Sequence, residues 1–102
     1  MIYELHFHPL ALKEWKTLSK ELQGQFKKQL KRRLENPHVI SAKLSGQLKD
    51  CYKIKLHQAG YRLVYQINDN EMILLVVAVG KRNKNKVYEL AGDRQKAYVR
   101  AI

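Results

Sequence analysis

The chain has 102 residues, 45% of them hydrophobic, which suits one domain built on one core. Lys and Arg number 20 against 9 Asp and Glu, a formal net charge of +11, and such an excess on a small domain points to a polyanionic partner: RNA, DNA, the ribosome, an anionic membrane or an acidic protein. A single cysteine, Cys51, excludes an internal disulfide, and the longest apolar run, ILLVVAV at 73–79, is too short to span a bilayer.

IYELHF at 2–7 alternates, with Tyr3, Leu5 and Phe7 on one face, and predicts a half-buried strand. Pro9 suits the first position of a helix, where its missing N–H costs nothing, and Leu12, Trp15 and Leu18 give that helix an apolar stripe. Ser19 predicts the N-cap of a second helix. Leu22, Phe26, Leu30 and Leu34 recur every four residues as its buried face, with Lys27, Lys28, Lys31, Arg32 and Arg33 over most of the rest. Asn36-Pro37 ends it. A loop follows to residue 50, with a short strand expected near Lys43-Leu44. Strands are expected at roughly 51–57, 61–68 and 72–80, joined by the turns HQAG and NDNE. MILLVVAV lacks alternation and reads as a central strand covered on both faces. A last helix starts near Asn85, with Val87, Leu90, Ala91 and Tyr98 on one side; residues 93–102 either extend it or form a mobile tail. The order predicts a single α+β domain over 1–102: an N-terminal strand, a two-helix hairpin, a three-stranded antiparallel meander and a C-terminal helix, with the helices on one side of the sheet.

Burying Ile54 and Leu56 together with Tyr61, Leu63 and Tyr65 requires even-numbered residues to pair with odd-numbered ones, and a pairing of Leu56 with Tyr61 does this across a four-residue loop. That register sets Lys55 opposite Arg62 and Lys53 opposite Val64, with no acid between Asp50 and Asp69. Like charges directly across a ladder destabilise by up to roughly 1 kcal/mol, so the cluster reads as an anion site rather than as a solvated strand face. Beyond Gly80, simple alternation puts Lys81 on the cationic face; a bulge at Gly80 would put Arg82 there instead. Tyr88, on the first turn of the last helix, is either core or a phenol brought to that face. Cys51 reads as a small buried hydrophobe rather than a nucleophile. His6, His8, His38 and His57 make no zinc-binding spacing, so no metal or other cofactor is expected; His57, at a strand end, reads as incidental.

ALKEWKTL, KLSGQLKDCYKIKL, GYRLVYQI and VAVGKRNKNKVY together resemble, in order and spacing, the RelE family of bacterial toxin ribonucleases in the RelE/ParE superfamily. The resemblance covers nearly the whole chain. It implies a RelE-like, microbial-ribonuclease-like fold and a cytoplasmic toxin of a type II toxin–antitoxin system. It implies that the toxin enters the ribosomal A site and cuts mRNA there, the RNA's 2′-hydroxyl attacking the adjacent phosphate. It also implies a RelB-type antitoxin that holds the toxin inactive and supplies the contacts to operator DNA, and no membrane partner. The family's catalytic positions fall on Lys53, Lys55, Arg62, Arg82 and Tyr88, which chooses Arg82 over Lys81 and so predicts a break in alternation near Gly80. Lys55 and Arg62 would clamp the phosphate, Lys53 or Lys55, crowded by other cations, would carry a proton, Arg82 would stabilise charge, and Tyr88 would orient the 2′-hydroxyl or stack on a base. Lys27, Lys28, Lys31, Arg32, Lys81, Lys84 and Lys86 would dock on ribosomal RNA. Rival readings are a ParE-like toxin acting on gyrase, a passive RNA-binding module, and a DNA-binding repressor, the last disfavoured because no helix-turn-helix is evident.

Overall fold

The computed structural model describes residues 2–44, 50–81 and 86–101, the stretch 95–101 by backbone alone. Its elements are β1 (Glu4–Phe7), α1 (Pro9–Lys16), α2 (Lys20–Glu35), a 3-10 turn (Ile40–Ala42), β2 (Cys51–Leu56), β3 (Tyr61–Asn68), β4 (Ile73–Lys81) and α3 (Lys86–Ala101). The α+β reading holds, and α3 continues through the segment that left tail or helix open. Among the described residues no helix is long and apolar enough to cross a membrane.

Local chemistry sets the helix ends. His8 Nδ1 accepts from the Leu10 N–H at 3.1 Å, with Pro9 at the first helical position. Burial, and then the nearby Arg94 guanidinium, hold the His8 imidazole below its ordinary pKa. Ser19 Oγ accepts from the Leu22 N–H at 3.2 Å and caps α2 as expected. On α2, Phe26 and Leu30 are buried while Leu22 and Leu34 pack half-buried against the same core. The α1 stripe needs correction: Leu12 is 37% exposed, and Ala11 beside Trp15 is the residue that faces the sheet. Ala11 is fully buried in the core that α1 shares with the sheet.

The sheet runs β1-β4-β3-β2, with β1 parallel to β4 and the other pairs antiparallel. Lys43 bridges to Tyr52, which gives the expected short strand near Lys43-Leu44 its physical form. The turn from β2 to β3 closes by a bond from the Gly60 N–H to the Leu56 carbonyl at 2.8 Å, with Gly60 at φ 70°, a conformation that glycine adopts without strain.

The expectation that all helices share one side of the sheet is overturned. α1 and α2 cover one face, packing Trp15, Phe26 and Leu30 against Ile54, Leu63, Tyr65, Leu74, Val76 and Val79. α3 covers the other, packing Val87 and Ala91 against Cys51, Val64, Leu75, Val77 and Ala78. An apolar run without alternation, as in β4, needs cover on both faces, and α3 supplies the second. Cys51 is fully buried there, and burial pushes its thiol up to about 12, which leaves it inert as a nucleophile.

Alternation does break in β4, but at Val77. Val64 pairs with Ala78 and Tyr65 with Val76, so Val77 has no partner on β3. Past the bulge Gly80 lies opposite Arg62, and Lys81 lies opposite Tyr61. Lys81 is therefore turned away from the cationic face, and the bulge expected at Gly80 sits three positions earlier.

Far from that face, Asp69 Oδ1 accepts from the Tyr3 hydroxyl at 2.6 Å and lies 2.9 Å from His38 Nε2, tying the β3–β4 turn to the residue before β1 and to the loop after α2. These two bonds hold the Asp69 carboxyl below its usual pKa. A depressed carboxylate contributes stability that is complete above its unfolded pKa and is lost as pH falls through the folded value. Asp69→Asn is accordingly expected to flatten the acid limb of a plot of unfolding free energy against pH below about 4, leaving the neutral limb parallel to that of the parent.

Candidate functional site

The β2–β3 register is the one that burial of the aromatic face demanded: Leu56 pairs with Tyr61, Lys55 with Arg62 and Lys53 with Val64. Lys53, Lys55 and Arg62 therefore stand on the face that α3 covers, each half-buried. α3 reaches only part of this surface, and its first turn borders the cations. Val87 turns into the second core, and Tyr88, the next residue, reaches the hairpin.

Arg62 and Tyr88 meet there. Arg62 Nη1 donates to the Tyr88 hydroxyl at 3.1 Å, and the guanidinium carbon stands 5.3 Å from the ring centroid. Tyr88 thus meets the cationic hairpin, although its neighbour Val87 is core.

Gly80 makes this approach possible. A Cβ at that position would lie 3.2 Å from Val87 Cγ2, tighter than ordinary contact. An added methyl would press Val87 aside by a few tenths of an ångström, so the glycine eases the seating of α3 and marks no bulge of its own. Gly80→Ala is expected to fold and to weaken the site, with the Arg62–Tyr88 contact lengthened in a crystal structure of the variant.

Lys55, Leu56, His57, Gly60, Tyr61 and Arg62 line a shallow cleft of about 90 Å³ at the turn end of the hairpin. His57, incidental by sequence, is part of its wall. A larger hollow of about 410 Å³ lies at the other end of β3, between Asp50, Gln66, Ile67, Asn68, Asp69 and Asn70. Its carboxylates make it a poor host for a polyanion.

Of the other expected site residues, Lys27, Lys28, Lys31 and Arg32 are exposed on α2, Lys81 is exposed at the end of β4 and Lys86 at the start of α3. Arg82 and Lys84 lie outside the described residues. Arg33 behaves differently from its basic neighbours. Its Nη1 donates to the Tyr65 hydroxyl at 2.8 Å and to the Lys53 carbonyl at 3.3 Å, and Tyr65, fully buried, donates to the Pro37 carbonyl at 2.8 Å. Arg33 thus secures α2 to the strand that carries the lysines. Among the described residues no group of His, Cys, Asp and Glu could hold a metal ion.

Comparison with known proteins adds the following. Residues 5–86 match the family described as the ParE toxin of type II toxin–antitoxin systems. A RelE-like toxin protein of Escherichia coli is 54% identical over 96 residues, covering 94% of this chain and 100% of that protein. The mRNA interferase toxin RelE of Escherichia coli K12 is 47% identical over 94 residues, covering 92% of this chain and 98% of that protein. In three dimensions, an arginine-to-alanine double mutant of E. coli RelE in the free state superposes with a TM-score of 0.85 at 46% identity, covering 92% of this chain and 98% of that one. RelE in the intact E. coli RelBE toxin–antitoxin complex superposes with a TM-score of 0.77 at 46% identity, covering 80% of this chain and 99% of that one.

Proposed function

Because the chain belongs to the RelE branch of the RelE/ParE toxin family, we propose that it is the toxin of a type II toxin–antitoxin system, an endoribonuclease that cuts mRNA in the ribosomal A site. The observation that carries this reading is the Arg62–Tyr88 contact, which joins a phenol from α3 to the cationic hairpin. A ParE-like action on gyrase would not call for that pairing, and relatives named RelE at 47–54% identity favour the nuclease.

The cut requires activation of the 2′-hydroxyl, stabilisation of the phosphorane charge and protonation of the leaving 5′-oxygen. Lys55 and Arg62, side by side across the ladder, clamp the phosphate and meet its developing charge with groups already in place. Lys53, one pleat further on the same face, is the reserve cation and a candidate proton carrier. The Tyr88 hydroxyl, with Arg62 donating to it, orients the 2′-hydroxyl. Arg82 stabilises charge on the leaving side, an assignment that rests on the family alone. No carboxylate is among the described residues that line the cleft, so the reaction depends on an aligned substrate; holding reactants in line is worth about 7–11 kcal/mol at best, and the ribosome supplies that alignment. The exposed cations Lys27, Lys28, Lys31, Arg32, Lys81 and Lys86, with Lys84, dock on ribosomal RNA. A RelB-type antitoxin, like the partner in the RelBE complex, silences the toxin and carries it to operator DNA.

Primer-extension mapping of 5′ ends on mRNA in translating ribosomes tests the reading, with the parent protein, the Tyr88→Phe variant and a free-mRNA control. Cuts confined to the A-site codon and weakened in the variant are expected. Ribosome binding without cuts would reduce the cluster to a passive RNA clamp.

A further inference from the structure

Arg94 is the buried charged side chain among the described residues, 9% exposed. It lies on α3 and joins Glu14 of α1 by a two-pronged bond: Nη1 to Oε1 at 2.7 Å and Nη2 to Oε2 at 3.0 Å. The same Nη1 donates to the Val77 carbonyl at 2.9 Å, and Glu14 Oε1 accepts from the Val79 N–H at 3.1 Å. These backbone groups belong to the edge of β4 that β1 leaves open. The β1 pairing ends at Val76, and Val77 is the bulged residue with no partner on β3. An ion pair between two helices thus fills in for the missing strand.

We infer that Glu14 and Arg94 are positioning residues for the cleavage site: together they set the placement of α3 along β4 and so hold Tyr88 on Arg62. Tyr88 lies less than two turns upstream of Arg94 at about 3.6 residues per turn. The apolar seat of α3, chiefly Val87 and Ala91, selects which side of the helix faces the sheet. Aliphatic contacts of that size tolerate sliding. A planar fork bonded to a carboxylate and to a named carbonyl does not, because its geometry is fixed in direction as well as distance. A buried ion pair often adds little net stability, since desolvation offsets the attraction. Its contribution here is placement.

The inference rests on the proposed nuclease reading, and the test keeps the two apart. Arg94→Lys keeps the charge but cannot form the fork; Glu14→Gln keeps an acceptor for Val79 and removes the charge. Both are compared with the parent by proton NMR contacts between the Arg62 side chain and the Tyr88 ring, and by cleavage at saturating ribosomes. The expected result is loss of those contacts with the β2–β3 cross-strand contacts intact. Turnover should fall by about 10–100-fold while the ribosome concentration for half-maximal rate stays within roughly twofold. Retention of both contacts and turnover in the two variants would overturn the inference. So would global unfolding of both, which would make the pair a stability element. If the parent itself does not cut, the nuclease reading falls, and the NMR contacts still decide whether the pair positions Tyr88.

Discussion

Arg62→Ala is expected to lower A-site cleavage by about 10²–10³-fold without lowering the stability of the fold. Arg62 stands across from Lys55 and donates to Tyr88, so under the proposed function its loss would remove a phosphate-facing donor and free the phenol in one step. The same change relieves a like-charge pair directly across a ladder, worth up to roughly 1 kcal/mol. That relief roughly offsets the lost contact with the Tyr88 ring, about 0.5–1 kcal/mol, so stability should stay nearly level while activity collapses. Single-turnover cleavage and urea unfolding on the same preparation measure the two effects. A parallel fall in both would make Arg62 a structural residue and move the candidate site elsewhere.

The largest stability effect is expected at Phe26. Its side chain is fully buried between α2 and the sheet, its ring 6.1 Å from that of Trp15, which in turn lies 5.4 Å from Phe7. Phe26→Ala removes the ring and leaves a cavity that α2, tied down by Arg33 on Tyr65 and the Lys53 carbonyl, cannot readily collapse into. A cost of about 3–5 kcal/mol follows, a large part of the ~5–15 kcal/mol that holds a typical domain folded. Urea unfolding followed by far-ultraviolet circular dichroism would measure it. A cost near 1 kcal/mol would mean that α2 docks mainly through its polar clasp.

The hairpin and the helix caps could be read from local pattern, because local rules decide them. In β2 and β3 one face must be buried and the turn must close, and pairing Leu56 with Tyr61 satisfies both, which sets Lys55 opposite Arg62. Ser19 and Pro9 are similarly decided by the few residues around them. The cationic cluster of the candidate site was therefore legible, and the family resemblance pointed to Tyr88, which spacing alone left between core and site and which the structure brings to Arg62.

What tertiary structure decided are the contacts between distant segments. Nothing in IYELHF shows that β1 will run parallel to β4. The unalternating β4 asked for cover on both faces, but only the packing of Val87 and Ala91 reveals that α3 is the second cover. On a helical wheel Arg33 looks like Arg32, yet one clasps a buried tyrosine and the other faces water. Glu14 and Arg94 look like any surface pair of charges in the sequence. They become a clip because the β1 pairing along β4 stops at Val76 and the bulge leaves Val77 without a partner on β3, so its carbonyl accepts from Arg94, and a buried backbone group must find a partner.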